Sequence, residues 1–357
     1  MKRLVVKVGS SSVTAPSGGL DIDRLTLLVE ALAGAKHGGR QVVLVSSGAI
    51  AAGLARLGIT ARPRDLATLQ AAAAVGQTAL VDAYAGAFAR HGLTVGQVLL
   101  TADDVVRRSH YRNARVTLDR LLDLGVIPVI NENDTVATAE IRFGDNDRLA
   151  ALVAHLVDAD RLLLLSDVDA LYTTAPGRAG ARLIPEITVA SDLAGVDLRG
   201  TGSGVGSGGM RSKVEAAQMA AASGVPTVVG AAEGIVDLLA ERGGTVFHPT
   251  GPRSSSRLRW LAHAASPRGR LLLDAGAVAA VVDRRASLLP AGITSVEGDF
   301  AAGDPVELIA PGGRAVARGI TGYDAADLPP LLGRSTREAG AREVVHADDL
   351  VVLAVPR

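Results

Sequence analysis

Leu4-Val5-Val6-Lys7-Val8-Gly9-Ser10-Ser11-Ser12 decides how this chain is read, because a strand-forming run passes straight into a glycine and three hydroxyl side chains. Asp21 to Lys36 follows with helical periodicity and is closed by Gly38-Gly39, after which Gln41 to Ser46 forms a second apolar run ending at Ser47-Gly48. Strand, polar loop, helix and strand in that order make a βαβ unit, whose parallel strands are covered on both faces. Such strands read as continuous Val/Leu/Ile runs rather than as alternation. The same texture returns at Thr94 to Leu100, Val126 to Ile130, Arg161 to Ser166 and Val225 to Val229, with another helix from Ser109 to Leu124 closed by Gly125. The expected fold is α/β, a doubly wound and mainly parallel sheet.

Beyond Phe247 the texture changes. His248-Pro249-Thr250-Gly251-Pro252 and the three serines at 254–256 read as a loop, and helical patterning then largely disappears. Gly276 to Val282, Pro305 to Ile309, Ala315 to Ile320 and Leu350 to Val355 are short apolar runs between turn residues, which predicts a small β-rich, barrel-like second domain. The 357 residues are enough for two cores. The expected division is a first domain over 1–250, a linker over 251–270 and a second domain over 271–357. No repeat of fixed period is present, which argues against solenoids and propellers.

Composition narrows the function classes. With 48% hydrophobic and 21% charged residues the chain is globular rather than disordered. There is no cysteine, so disulfides, thiolate chemistry and cysteine-bound metal are all excluded. The apolar run after Met1-Lys2-Arg3 is too short for a signal peptide and no segment offers eighteen uncharged apolar residues, so a cytoplasmic protein without membrane contact is expected. Net charge is zero, with residues 271–357 at −4 (8 basic, 12 acidic) and residues 1–270 at +4 (29 basic, 25 acidic), so neither part is a polycation for nucleic acid. Trp260, the single tryptophan, has no aromatic neighbours to form a stacking platform. His37, His91, His110 and His155 are scattered without metal-ligand spacing, and no residue is assigned to a metal.

Of 37 basic residues only Lys2, Lys7, Lys36 and Lys213 are lysine. A compact ammonium in a tight site does not accept a planar guanidinium, so lysines that persist in an arginine-rich chain stand out. Lys7 precedes Gly9. Lys213 closes the glycine-rich stretch from Thr201 through Ser207-Gly208-Gly209-Met210-Arg211-Ser212 and lies in the first turns of the helix that follows, where backbone amides, helix dipole and ammonium can surround a phosphate. Ser212, not glycine, precedes Lys213, so this is not a P-loop. Ligands in open α/β sheets bind beyond the carboxyl ends of strands. Two further loops stand there: Ser46-Ser47-Gly48-Ala49-Ile50-Ala51-Ala52-Gly53, and Asn131-Glu132-Asn133-Asp134 with Gly144-Asp145-Asn146-Asp147 before an amphipathic helix. Two lysines on glycine-rich loops and an acidic, amide-rich cluster are the materials of phosphoryl transfer.

Lys7-Val8-Gly9-Ser10-Ser11, the Ser46 to Gly53 loop, Val129-Ile130-Asn131-Glu132-Asn133-Asp134, Gly144-Asp145-Asn146-Asp147 and Gly208-Gly209-Met210-Arg211-Ser212-Lys213, in that order, resemble the amino-acid kinase family. Residues 271–355 resemble the PUA domain that some members append. The resemblance implies ATP-dependent phosphorylation of the side-chain carboxylate of free glutamate, with magnesium, as the first step of proline biosynthesis. It places Lys7 and Lys213 beside the transferred phosphoryl group, with Asp147 orienting both. Ser47, Asp134 and Asn146 would hold glutamate, while Lys7, Gly9, Ser166, Asp167 and the stretch Ser207, Gly208, Gly209, Met210, Arg211, Ser212 and Lys213 would contact ATP. Ala170 and Ala175-Pro176 depart from the family's usual glycine and Asp-Pro, and Ser207 stands where threonine is common. A homo-oligomer is expected, with proline as a candidate feedback inhibitor. The alternatives are another kinase of the family, for acetylglutamate, aspartate or uridylate, or an RNA-binding role of the second domain. A free α-ammonium calls for a carboxylate such as Asp134, which an acetylated substrate does not need.

Overall fold

The apolar runs form strands, and the first five lie where their composition places them. The computed structural model describes residues 2–15, 18–101, 104–105, 108–136, 146–198, 209–251, 267–334 and 342–353. Its chain order begins β1 (Arg3–Val8), α1 (Ile22–His37), β2 (Gln41–Ser46), α2 (Ala49–Arg56), α3 (Leu66–Ala89), β3 (Val95–Leu100), α4 (Arg108–Asp123), β4 (Ile127–Glu132), α5 (Asn146–Leu156) and β5 (Arg161–Ser166). Then come β6 (Leu171–Tyr172), β7 (Leu183–Ile184), β8 (Glu186–Ile187), α6 (Met210–Ala222), β9 (Thr227–Ala231), α7 (Ile235–Leu239) and β10 (Thr245–Phe247). Eight strands make one sheet in the order β3-β4-β2-β1-β5-β9-β10-β8. All neighbours from β3 to β9 are parallel; β10 runs antiparallel to β9 and pairs in parallel with β8. The central β1, β2, β4 and β5 are buried almost throughout, whereas β3 at the edge is half-exposed.

Local chemistry sets the helix ends. Asp21 caps α1 by accepting the Arg24 backbone N–H, and the chain leaves the helix through Gly39 at φ +86°. Asp65 caps α3 by accepting from Thr68 N–H at 2.8 Å. Helices α2 and α3 cross with their backbones in contact: a Cβ on Gly76 would lie 1.7 Å from the Ala49 carbonyl oxygen, and one on Gly53 would lie 1.8 Å from that of Ala72. Helix α5 departs from its expected amphipathic character. From Leu149 to Leu156 every residue is buried, because the helix lies between the sheet and α6.

The chain divides into two compact units, one of Met1–Val105 with Tyr111–Arg253 and the other of Ser254–Arg357 with Val106–His110. Most of the expected linker, 252–266, lies outside the described residues, as does Trp260. The second unit contains β11 (Gly269–Leu273), α8 (Ala275–Val282), β12 (Ile293–Gly298), β13 (Pro305–Ile309), β14 (Ala315–Thr321) and β15 (Val345–Val352), with sheet order β12-β11-β13-β14-β15. Leu271, Leu273, Val306, Leu308, Ala317 and Val345 are among its core. Gly276 to Val282, expected among the short β runs, is helical. Asp274 caps it by accepting the Ala277 N–H at 2.7 Å, and alanines at 275, 277, 279 and 280 favour the helix. An apolar run of seven residues does not distinguish the two states by periodicity.

Candidate active site

The parallel register brings the ends of the central strands level. Val8 pairs with Ser46, and the Ser47 N–H donates to the Val8 carbonyl at 3.1 Å, so the first two loops leave the sheet side by side. Gly48 adopts φ +104°, where a Cβ would approach Val13 Cγ2 to 3.1 Å, and this left-handed turn starts α2 immediately after Ser47.

Three charges meet between β1, α5 and α6. Lys7, one residue from the end of β1, places Nζ 2.5 Å from Oδ1 of Asp147. Lys213, in the first turn of α6, donates from Nζ to Asp147 Oδ2 at 3.1 Å. The Ser212 hydroxyl lies 3.2 Å from the same oxygen and 2.8 Å from the Gly209 carbonyl, two acceptors for its single hydrogen. Asp147 is fully buried, and Lys7 and Lys213 are 2% and 7% exposed. Buried charge is costly unless paired. One aspartate against two lysines leaves an excess positive charge at the mouth of the strands, a setting that favours an anion. Gly9 lies beside the cluster, where a Cβ would stand 3.9 Å from Lys7 Nζ, an ordinary contact.

Asn146, adjacent to Asp147, turns into a second, uncharged network. Its Nδ2 faces three acceptors that share its two hydrogens, Ser46 O at 3.1 Å, Ser47 Oγ at 3.0 Å and Asn131 Oδ1 at 2.8 Å. Asn131 is buried at the end of β4; its Oδ1 also accepts the Glu132 N–H at 2.9 Å, and its Nδ2 donates to Gln77 Oε1 at 2.7 Å. Beneath them the Ser46 hydroxyl bonds the buried Tyr84 hydroxyl at 2.9 Å. Burial pushes the Tyr84 phenol well above its usual range, with the Ser46 bond opposing, so it stays a neutral hydrogen-bonding group.

The expected site residues thus fall into groups. Lys7, Asp147, Lys213 and Ser212 meet, with Gly9 beside Lys7; Ser47 and Asn146 meet. Asp134 is half-buried on the turn that follows β4. Ser166 and Asp167 end β5, where the Ser166 hydroxyl donates to Asp167 Oδ1 at 3.1 Å and Asp167 is exposed. Gly209 is the N-cap of α6 and Met210 is buried, but the Arg211 guanidinium faces solvent and pairs with Glu215 at 2.9 Å. Gly144, Asp145, Ser207 and Gly208 lie outside the described residues. Sequence reasoning did not single out Gln77 and Tyr84, and Asn131 had no role of its own. Among the described residues there is no group of three or more His, Cys, Asp or Glu side chains able to hold a metal ion, and no helix long and apolar enough to cross a membrane.

The amino acid kinase family model matches residues 2–231 and the PUA domain model residues 269–339. The chain is 63% identical to the glutamate 5-kinase of Frankia casuarinae, over all of this chain and 98% of that protein. It is 61% identical to the glutamate 5-kinase of Streptomyces coelicolor, over 99% and 96% of the two chains. Among solved structures, a carbamate kinase from Giardia lamblia bound to AMP-PNP superimposes with a TM-score of 0.53 at 18% identity, covering 69% of this chain and 98% of that one, a likeness of fold.

Proposed function

Because this chain belongs to the amino acid kinase family, we propose that it transfers the γ-phosphoryl group of ATP to the side-chain carboxylate of free glutamate, as a glutamate 5-kinase. The observation that carries the chemistry is the pair of buried lysines sharing Asp147. A glutamate side chain has an ordinary pKa of ~4.3, so near neutrality it is already a nucleophile and no general base is required. One carboxylate oxygen attacks the γ-phosphorus, the bond from phosphorus to the bridging β–γ oxygen breaks, and ADP leaves with that electron pair. The products are an acyl phosphate and ADP. Charge neutralisation and alignment are what the protein supplies.

In this reading Lys7 and Lys213 meet the charge on the transferred group and on the departing phosphate, and Asp147 keeps both ammonium heads directed at it. Ser47, Asp134 and Asn146 hold glutamate, with Asp134 facing the α-ammonium. Gly9, Ser166, Asp167 and the stretch Ser207 to Lys213 hold ATP, the Arg211 contribution coming from its backbone. The described residues do not form a cation cage, and both Asp147 oxygens are engaged by lysines. Magnesium, which suits phosphate oxygens, would help to neutralise the charge on ATP, and the roles given to this chain's residues do not run through it. A cytoplasmic homo-oligomer inhibited by proline completes the reading; light scattering and rates with added proline check those parts.

The assay is direct. With ATP, magnesium, hydroxylamine and one acid at a time, glutamate yields hydroxamate, while N-acetylglutamate and aspartate yield little. Hydroxamate formed mainly from either of those acids replaces the substrate, and ADP release without hydroxamate removes the acyl phosphate.

A further inference from the structure

The amide network reaches deeper than the residues expected to touch glutamate, and its orientation is fixed by two backbone groups that have only one hydrogen-bonding role each. The Glu132 N–H can only donate, so Asn131 must turn Oδ1 toward it. The Ser46 carbonyl can only accept, so Asn146 must turn Nδ2 toward it. These two constraints agree, because Asn146 Nδ2 then also donates to Asn131 Oδ1 at 2.8 Å. Asn131 is left with its Nδ2 pointing into the protein, where Gln77 Oε1 accepts it at 2.7 Å. Gln77 comes from α3, next to Gly76, whose missing Cβ lets α3 touch the start of α2 just after Ser47.

Gln77 is only 8% exposed, and among the described residues its Nε2 has no acceptor within hydrogen-bonding distance. At the other end Asn146 Oδ1 is likewise buried without a donor. A buried amide with one half unmet costs folding stability that an apolar side chain of the same length would not. The half of Gln77 that is used serves only Asn131.

We infer that Gln77 is a positioning residue for the amino-acid substrate: by accepting from Asn131 it holds in place the amide that the Glu132 N–H orients, and through Asn131 it steadies Asn146, whose Nδ2 donates to the Ser47 hydroxyl oxygen. This rests on the reading of Ser47 and Asn146 as glutamate-holding groups. Gln77 touches neither substrate nor phosphate. Its influence belongs to the binding of the acid, while Asp147, with its own lysine and Ser212 partners, keeps the phosphoryl side intact.

Gln77→Met preserves length and volume and removes the acceptor; Gln77→Glu preserves the acceptor. Losing one neutral hydrogen bond predicts that Gln77→Met raises KM for glutamate by roughly 2- to 12-fold, with kcat and KM for ATP unchanged. Gln77→Glu restores the wild-type KM. Gln77→Asn, one methylene too short to reach, repeats the Met result and stands in for it should Gln77→Met not fold. A wild-type KM for glutamate in Gln77→Met, an equal loss in Gln77→Glu, a loss shared equally by kcat, or failure of both Met and Asn variants to fold would each overturn the assignment. Wild-type enzyme assayed beside them isolates the substrate reading: if it phosphorylates a different acid, that reading fails, and KM for the acid actually used still reports on Gln77.

Discussion

On the lysine side of the site the protein buries full charges: Lys7, Asp147 and Lys213 are held within 2.5 and 3.1 Å of one another's partner atoms, and the aspartate sees no solvent. On the amide side, joined to Asp147 through its chain neighbour Asn146, the side chains of Gln77, Asn131, Asn146 and Ser47 are organised by neutral hydrogen bonds alone. On the proposed reading the difference follows from what each side has to meet. A phosphoryl group in transfer carries negative charge that only a net positive environment stabilises, so the counter-ion there must be outnumbered. The bound acid, apart from the charge on its α-ammonium that Asp134 meets in this reading, needs orientation, and amide donors and acceptors give orientation without adding net charge. The lysine side should therefore be the more sensitive to a single substitution, and the amide side should yield in smaller steps.

The largest effect is expected at Asp147. Asp147→Asn leaves two buried ammonium groups without their shared counter-charge, and breaking a buried pair in this way costs about 3–5 kcal/mol of stability. Urea unfolding measures it, and ATP should restore part of the loss by supplying negative charge; a variant as stable as wild type would mean that the lysines are solvated in solution. Lys7→Ala and Lys213→Ala come next, each lowering kcat by roughly 10² to 10³ as one preorganised electrostatic contact is lost, with the fold intact. Near-normal kcat in either would remove that lysine from the transition state. Tyr84→Phe is a mild perturbation under the amide side. The Ser46 hydroxyl keeps its bond to the Ser47 carbonyl at 3.1 Å, so thermal unfolding should register a loss of about 1 kcal/mol and kinetics should not change. Smallest of all is removal of the residues after Arg257, since the kinase motifs precede them; retained hydroxamate formation is expected, and a soluble but inactive chain would place part of the second unit in the site.

The same contrast explains what could be read in the sequence. The central strands were legible because both faces are buried and their runs are continuously apolar, and Lys7 and Lys213 were legible because lysine is rare here and both sit on glycine-rich loops. Helix α3 carries no polar–apolar period: its middle is Ala71 to Ala74 followed by Val75 and Gly76, and Gly76 reads as a breaker until Gly53 is seen against it. Gln77 was hidden for that reason and because its partner Asn131 is 54 residues away, a pairing no local pattern encodes. Asn131 stood in plain view in an acidic loop, yet nothing in the sequence shows that its side chain turns inward. In the second unit, Gly276 to Val282 was misread as strand because a cap at Asp274, not periodicity, starts that helix.

The central claim, that a free amino acid is phosphorylated with its α-ammonium held by Asp134, is tested most directly by one ratio: kcat/KM for glutamate over kcat/KM for N-acetylglutamate, in wild type and in Asp134→Asn. The substitution keeps shape, removes the negative charge and turns one acceptor into a donor. A hydrogen bond to a charged group contributes about 1.5–3 kcal/mol, so kcat/KM for glutamate should fall by roughly 10- to 150-fold, KM for ATP should hold, and the ratio should collapse toward that of an enzyme indifferent to acetylation. A ratio unchanged by the substitution, with both acids losing equally, would contradict the claim and leave Asp134 to the fold or to the metal-bound phosphates.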